Sequence, residues 1–272
     1  MSISRKHSYI WLVISFIFLG SILVWDHYRP PLTEKPARSS VPILTYHKIN
    51  PDRKTGGFGL RVMPADFDWE MQYLKTNGYQ TVDLGDVVNH FQTGRKLPGK
   101  PIVITFDDGY QDNYRYAWPI LQKYGFTATV FIVPHIVGGI NAYDYYANLQ
   151  PKNKMMTWQE IKEMNAAGIT IGAHTLDHAN LTSVSPAEAQ RQIAESKNIL
   201  EQKLGKEIRY FSYPYGDFNR DIAEMVRASG YRAAASSEEG LVQSNMDPYL
   251  LKRIRINGHL SHQQFVKELH KY

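Results

Sequence analysis

Pro101-Ile102-Val103-Ile104-Thr105-Phe106 runs directly into Asp107-Asp108-Gly109-Tyr110. The first six residues are mostly apolar and rich in β-branched side chains, as in a strand buried on both faces. Two adjacent carboxylates at the end of such a strand carry a desolvation cost, and a divalent cation is the simplest compensation. Downstream, Tyr114–Tyr124 reads as a helix stopped by Gly125, and Thr127–Val133 reads as the next strand. Strand, helix, strand is the unit of a parallel sheet with crossover helices.

The same alternation extends in both directions. Val41–Tyr46, Gln80–Val82, Ile169–Ala173, Arg209–Tyr213, Tyr231–Ser236 and Tyr249–Ile256 have strand character. Helical patterns cover Pro64–Asn77, Leu84–Phe91, Thr157–Ala167, Ser185–Leu204, Arg220–Ser229 and Ser261–Tyr272. Their punctuation supports them: Thr157 with Glu160 forms a capping box, Ser185-Pro186 opens a helix, and Gly205 closes it. The expected fold is α/β, a distorted (β/α) barrel of about seven strands. In such barrels the chemistry sits on loops after the strand C-termini. Asp107, His174, Tyr215 and His259 each follow an expected strand.

The chain has 272 residues and a net charge of +5, with 43% hydrophobic and 21% charged residues, which fits one large ordered domain. The basic excess is concentrated before residue 41, where Arg5, Lys6, Arg29, Lys35 and Arg38 face only Asp26 and Glu34. The body of the chain lacks a basic block, so no nucleic-acid partner is expected. With no cysteine, disulfides and thiolate metal sites are excluded.

Tyr9 to Trp25 carries no charge and, at helical rise, spans ~25 Å, enough to cross a membrane at the short limit. Arg5 and Lys6 before it favour an orientation with the body outside the cytoplasm. The expected organisation is a membrane anchor over 1–27, a Pro-rich linker over 28–40 and a catalytic domain over 41–272. A cleaved signal peptide is the alternative, giving a secreted protein, although bulky Leu23-Val24-Trp25 is a poor cleavage flank.

His174-Thr175-Leu176-Asp177-His178 offers two imidazoles four positions apart. Alone, this pair reads as two surface histidines, and Asp108-Gly109 alone reads as a turn. Together, each behind a strand, they offer the ligand set of a metal-assisted hydrolase.

Thr105-Phe106-Asp107-Asp108-Gly109, His174-Thr175-x-x-His178 and Phe211-Ser212-Tyr213-Pro214-Tyr215-Gly216, in that order, resemble the polysaccharide deacetylases of carbohydrate esterase family 4, which share the NodB homology domain. The resemblance covers roughly residues 41–260. With Val41-Pro42-Ile43-Leu44-Thr45-Tyr46-His47, it is most similar to the branch that de-N-acetylates poly-β-1,6-N-acetylglucosamine in biofilms.

The resemblance implies Asp108, His174 and His178 as metal ligands, Asp107 as the catalytic base, and the Tyr215 backbone N–H as a holder of the oxyanion. His259, in Asn257-Gly258-His259-Leu260, is a loose match to the family's histidine acid; the other reading is an exposed loop histidine. The implied cofactor is a divalent metal, zinc first, with cobalt, nickel or iron compatible. The implied partner is an N-acetylglucosamine polysaccharide, acted on by a monomer. Peptidoglycan or chitooligosaccharide deacetylation is the alternative activity, and a degenerate glycan-binding protein is the rival of another class.

Two departures stand out. The arginine that orients the base in many members is absent around Ser212 and Tyr213, and Arg209, three residues upstream, is not assigned its role. The family's aspartate–tryptophan motif is missing too, with Lys252 or Arg253 in Leu251–Arg255 as candidates to compensate for it. Of the remaining singled-out residues, His47 and His135 read as structural, Asp177 as a loop shaper and Asp112 as a helix cap. Tyr143, Tyr145 and Tyr146 read equally as loop packing or a sugar-contact platform.

Overall fold

The computed structural model describes residues 40–141 and 151–271. The expected anchor, almost all of the linker and the three loop tyrosines therefore lie outside the described residues. Among the described residues, no helix is long and apolar enough to cross a membrane.

The strands are β1 (Ile43–Tyr46), β2 (Lys48–Ile49), β3 (Arg61–Val62), β4 (Tyr79–Thr81), β5 (Lys100–Phe106), β6 (Thr129–Ile132), β7 (Thr170–Ala173), β8 (Tyr210–Ser212), β9 (Ala233–Glu239) and β10 (Leu251–Arg255). The helices are α1 (Pro64–Thr76), α2 (Leu84–Thr93), α3 (Trp118–Tyr124), α4 (Trp158–Ala166), α5 (Pro186–Leu204), α6 (Arg220–Ala228) and α7 (His262–Leu269). The main sheet runs β1-β10-β9-β8-β7-β6-β5 and closes through β1 pairing with β5, with every pairing parallel. It is a closed seven-stranded parallel barrel, with β4 attached beside the first half of β5.

Strand alternation sorts the side chains. Leu44, Tyr46, Ile104, Phe106, Val130, Ile171 and Phe211 face outward into the helix layer. Ile43, Val103, Phe131, Tyr210, Ala233 and Leu251 fill the barrel floor. The floor packs tightly because Gly172 leaves room: a Cβ there would lie 2.5 Å from the Phe131 ring. Two positions further along β5, β8 and β10, the interior turns polar, with Thr105, Ser212 and Arg253 all buried. One more step reaches the mouth, where His47, Asp107, His174, Ser237 and Arg255 line a cleft. The period of two keeps floor, polar layer and mouth on the one inward face, and the residue types along it change from apolar to titratable.

The helix signals read from sequence are realised. Thr157 and Glu160 form the reciprocal capping box, Ser185 caps α5 with Pro186 in its first turn, and Gly205 ends it in the left-handed region. α3 is entered through a π-helical turn, Asn113–Ala117, a wide turn often found beside functional sites. Asp112 precedes that turn but does not cap it, which corrects the sequence expectation. Its backbone is already helical, so its side chain turns inward and accepts from the Ile49 N–H (3.3 Å) and from Asn50 Nδ2 (3.2 Å). Burial pushes this carboxyl up to about 7.

β2 and β3 form a small parallel ladder at the mouth. Buried Lys48 donates to the Thr55 carbonyl (2.9 Å), and buried Arg61 donates to the carbonyls of Gly56 and Asn50 (3.0 Å each). These bonds fix the loop that brings Gly59 and Leu60 to the cleft.

Candidate active site

The cleft occupies about 450 Å³ at the C-terminal ends of the barrel strands. Asp107 and Asp108 follow β5, His174 follows β7, and His178 stands on the loop beyond it. Asp108 Oδ1 lies 3.4 Å from His174 Nε2 and 3.2 Å from His178 Nε2, all three residues being buried.

These separations fit a metal. Ligand atoms about 2.0–2.1 Å from a tetrahedral zinc stand roughly 3.4 Å apart. The tautomers fit as well. His174 Nδ1 donates to the Ser212 carbonyl (2.7 Å), and His178 Nδ1 donates to the Tyr215 hydroxyl (3.0 Å). With both Nδ1 positions bonded, both Nε2 lone pairs face Asp108, the outer-shell arrangement usual in metal sites.

The electrostatics point the same way. Burial alone would raise Asp108, but the adjacent imidazoles of His174 and His178 outweigh it and hold the carboxyl well below the carboxylate range. Burial prevails at His178 and holds it below its ordinary value, so its lone pair is available at neutral pH. At His174 the field of Asp108 and Asp107 outweighs burial and raises the group, the sign of a pocket that attracts positive charge.

Among the described residues, the non-glycine positions with positive φ are Asp108 (76°), Thr175 (58°), His178 (61°) and Tyr215 (61°). Left-handed backbone is unfavourable for such side chains and persists where the surroundings enforce it. Here it turns two ligands, and the residue that orients one of them, toward a common point. The Tyr215 turn also requires Gly216 (φ 75°), because a Cβ there would lie 2.2 Å from that of Ser237.

Asp107 sits beside the ligand set and belongs to Arg253. The guanidinium donates to both carboxylate oxygens, Nη1 to Oδ1 at 2.9 Å and Nη2 to Oδ2 at 2.7 Å. It also donates to Ser212 Oγ (3.1 Å), Thr105 Oγ1 (3.3 Å) and the Ser236 carbonyl (2.8 Å). Burial would raise Asp107, but Arg253 and His174 overcome it and hold the carboxyl at about 2. Arg253, expected from the sequence only to compensate for the missing aspartate–tryptophan motif, is the residue that orients Asp107. Small Ser212 leaves room beside Asp107, and the β10 guanidinium reaches across to its Oγ. Arg209 is exposed at the opposite end of β8, paired with Glu207 at 3.2 Å. Lys252 points away to Glu238 at 3.5 Å.

His47 lines the cleft, and burial presses its imidazole down to about 4 against the pull of Asp108 and Asp107. His259 is exposed, its ring centroid 5.6 Å from that of Phe58, outside the residues that line the cleft. Asp177 accepts from His135 Nδ1 (2.6 Å) and from Gln192 (2.8 Å), which shapes the histidine loop.

Residues 94–234 match the polysaccharide deacetylase family profile. YxkH of Bacillus subtilis, assigned to the polysaccharide deacetylases, is 33% identical over 233 residues, 86% of this chain and 76% of that protein. The poly-β-1,6-N-acetyl-D-glucosamine N-deacetylase of Staphylococcus aureus is 26% identical over 273 residues, 90% of this chain and 91% of that one. Among solved structures, the Streptococcus pyogenes deacetylase PplD in complex with acetate superposes with a TM-score of 0.73 at 26% identity, covering 85% of this chain and 98% of that one. The chain belongs to the polysaccharide deacetylase family, and its activity is that of a hydrolase, a polysaccharide N-deacetylase.

Proposed function

We propose that the protein removes N-acetyl groups from N-acetylglucosamine residues of a surface exopolysaccharide, poly-β-1,6-N-acetylglucosamine, and releases acetate. The observation that carries the chemistry is the pairing of a buried Asp108–His174–His178 set with an adjacent carboxylate clamped by Arg253. The polymer is supported by the likeness to the S. aureus enzymes along 90% of this chain. Asp107, so placed, counts against a merely glycan-binding role, since binding sugar needs no base beside the ligand set.

Asp108, His174 and His178 would hold the divalent ion, zinc in this proposal. When bound, the ion would polarise the acetyl carbonyl and supply a nucleophilic water at neutral pH. Asp107, ionised at neutral pH and fixed by two hydrogen bonds, accepts a proton from the attacking water. The Tyr215 N–H, set by the strained turn, stabilises negative charge on the former carbonyl oxygen. The leaving amine takes its proton from an imidazole, His259 in the reading drawn from the family. A second candidate for that step is His47, which lines the cleft itself but, held down to about 4, is neutral at pH 7 and must take up a proton before it can give one. Residues 1–27 would anchor the domain on the outer side of the membrane, with secretion after signal cleavage as the alternative, and the domain would work as a monomer.

Acetate release from poly-β-1,6-N-acetylglucosamine oligomers, chitooligosaccharides, peptidoglycan and acetylated xylan, each with and without chelator, tests the substrate. The expected result is chelator-sensitive release, fastest from the β-1,6 polymer. Release from xylan esters alone would overturn the reading. Comparing His259→Gln with His47→Gln for loss of kcat identifies the proton donor. Fractionation of expressing cells, with N-terminal sequencing of the product, decides between anchor and cleaved signal.

A further inference from the structure

One cation in the cleft is left unused by this chemistry. Arg255 ends β10 two positions beyond Arg253, so alternation puts both on the inward face, one layer apart. Arg253 is buried and saturated by its bonds to Asp107, Ser212, Thr105 and Ser236. Arg255 is exposed at the mouth of the cleft, which it lines with Ser237 and Leu60. Among the described residues, its guanidinium has no ion pair and no hydrogen-bond partner. The carboxylates of the neighbouring strand are engaged elsewhere, Glu238 with Lys252 (3.5 Å) and Glu239 with Lys271 (3.6 Å). Asp107 is neutralised by Arg253, and Asp108 faces the two imidazoles. Among the described residues, no carboxylate is left to compensate the positive charge at the mouth.

A guanidinium presents forked donors that match the two oxygens of a carboxylate or phosphate. We propose that Arg255 is a recognition residue for an anionic substituent, carboxylate or phosphate, carried by the polymer beside the sugar that loses its acetyl group. This rests on deacetylation at the Asp107–Asp108 site and adds the charge of the preferred substrate to it. A neutral polymer enters the same cleft but leaves Arg255 solvated. An anionic one gains a charge-assisted contact made only after it has docked, so the gain falls mainly on KM.

The test measures acetate release by the metal-loaded protein from three N-acetylglucosamine oligomers of equal length: neutral, succinylated and phosphorylated. The expected wild-type result is a kcat/KM about fivefold higher for at least one anionic oligomer, the upper end for one exposed ion pair. The two anionic oligomers show which group is read. Raising the ionic strength from about 0.02 to 0.5 M shrinks that preference, as screening requires. Arg255→Gln brings the anionic-to-neutral ratio to near one, and Arg255→Lys, which keeps the charge without the fork, retains part of it. Thermal melting of each variant reports folding, and the wild-type salt series stands without any variant. A wild-type ratio within twofold of one for both anionic oligomers overturns the proposal, as does a preference that survives Arg255→Gln. Release from the neutral oligomer alongside such a ratio leaves the deacetylase reading standing, whereas no release from any oligomer overturns both.

Discussion

The Arg253 guanidinium grips both carboxylate oxygens of Asp107, at 2.9 and 2.7 Å, from the last strand of the barrel. Both side chains are buried, exposed by 0% and 4%. Removing one partner of such a pair leaves an uncompensated charge and costs about 3–5 kcal/mol of stability. Arg253→Gln is expected to lower the melting temperature and reduce kcat by about 100-fold through misplacement of Asp107. Burial then acts on Asp107 with less opposition, so the acid limb of the kcat/KM profile moves to higher pH. An unmoved acid limb would show that Arg253 does not set the state of Asp107.

Asp107→Asn keeps the shape and one of the two acceptor oxygens for Arg253, but cannot accept a proton. The expected result is a loss of about 10³-fold in kcat, within the range for a general base. Metal content by elemental analysis should be unchanged, because Asp108, His174 and His178 are intact. The pH dependence of stability follows from the sign of the shift. Asp107 is depressed in the folded state, so it stabilises above the ordinary carboxylate range near 3.8, and that contribution fades as pH falls toward about 2. Melting curves between pH 2 and 5 should therefore fall less steeply for Asp107→Asn than for the wild type.

Tyr215 separates two roles in one residue. Its backbone N–H is the proposed oxyanion donor, while its hydroxyl accepts from His178 Nδ1. Tyr215→Phe removes only the second. Metal affinity, measured by competition with a chromophoric chelator, is expected to fall by about 10-fold or more, as for other outer-shell partners of metal-bound histidine. With metal in excess, kcat should largely recover. A kcat that stays low at saturating metal would assign the hydroxyl a direct part in the reaction.

Chelation tests the ligand set without mutation. Asp108, His174 and His178 come from loops after two different strands, so an ion there binds the folded state only. Metal at 100 times its Kd is expected to add about 2.7 kcal/mol to stability. Asp108→Ala should abolish that increment and acetate release together. A melting temperature equally raised by metal in Asp108→Ala would place the binding elsewhere.

Glu70 lies wholly inside the helix layer, where its carboxyl accepts from the Tyr46 hydroxyl at 2.8 Å. Burial raises it to about 8, against the smaller pull of the Tyr46 hydrogen bond. The folded chain therefore holds a proton that the unfolded chain gives up from about pH 4.5, and stability falls as pH rises from 4.5 to 8. Glu70→Gln keeps an acceptor for Tyr46 and removes the titration. Its melting temperature should decline less than that of the wild type between pH 5 and 8.5. Parallel declines would show that Glu70 does not contribute.

The barrel was legible in the sequence because its strands are long apolar runs separated by well-punctuated helices, as at Thr157–Glu160 and Ser185-Pro186. The approach of Asp108, His174 and His178 was legible because each follows a strand, and a parallel barrel brings strand ends together. The Arg253–Asp107 pair was harder to read. The two residues are 146 positions apart, and only closure of the sheet makes them neighbours. The β2–β3 ladder was missed because two-residue strands carry no periodic signal. Lys48 and Arg61 look like surface cations until backbone carbonyls are seen to satisfy them. The inward turn of Asp112 was misread because Asp before a helix usually caps it. The Tyr215 hydroxyl had no local signal at all, since its partner is defined by a left-handed turn.

Closure of the barrel also has a bearing on timing. Leu44, near the beginning of the domain, pairs with Ile254, so the seam cannot form until the final strand has left the ribosome. That strand also delivers Arg253, which means that an incomplete chain has Asp107 but nothing to aim it. Catalytic competence is thus acquired only once β10 has been made, and a product cut short ahead of Leu251 would be inert as well as open along its edge.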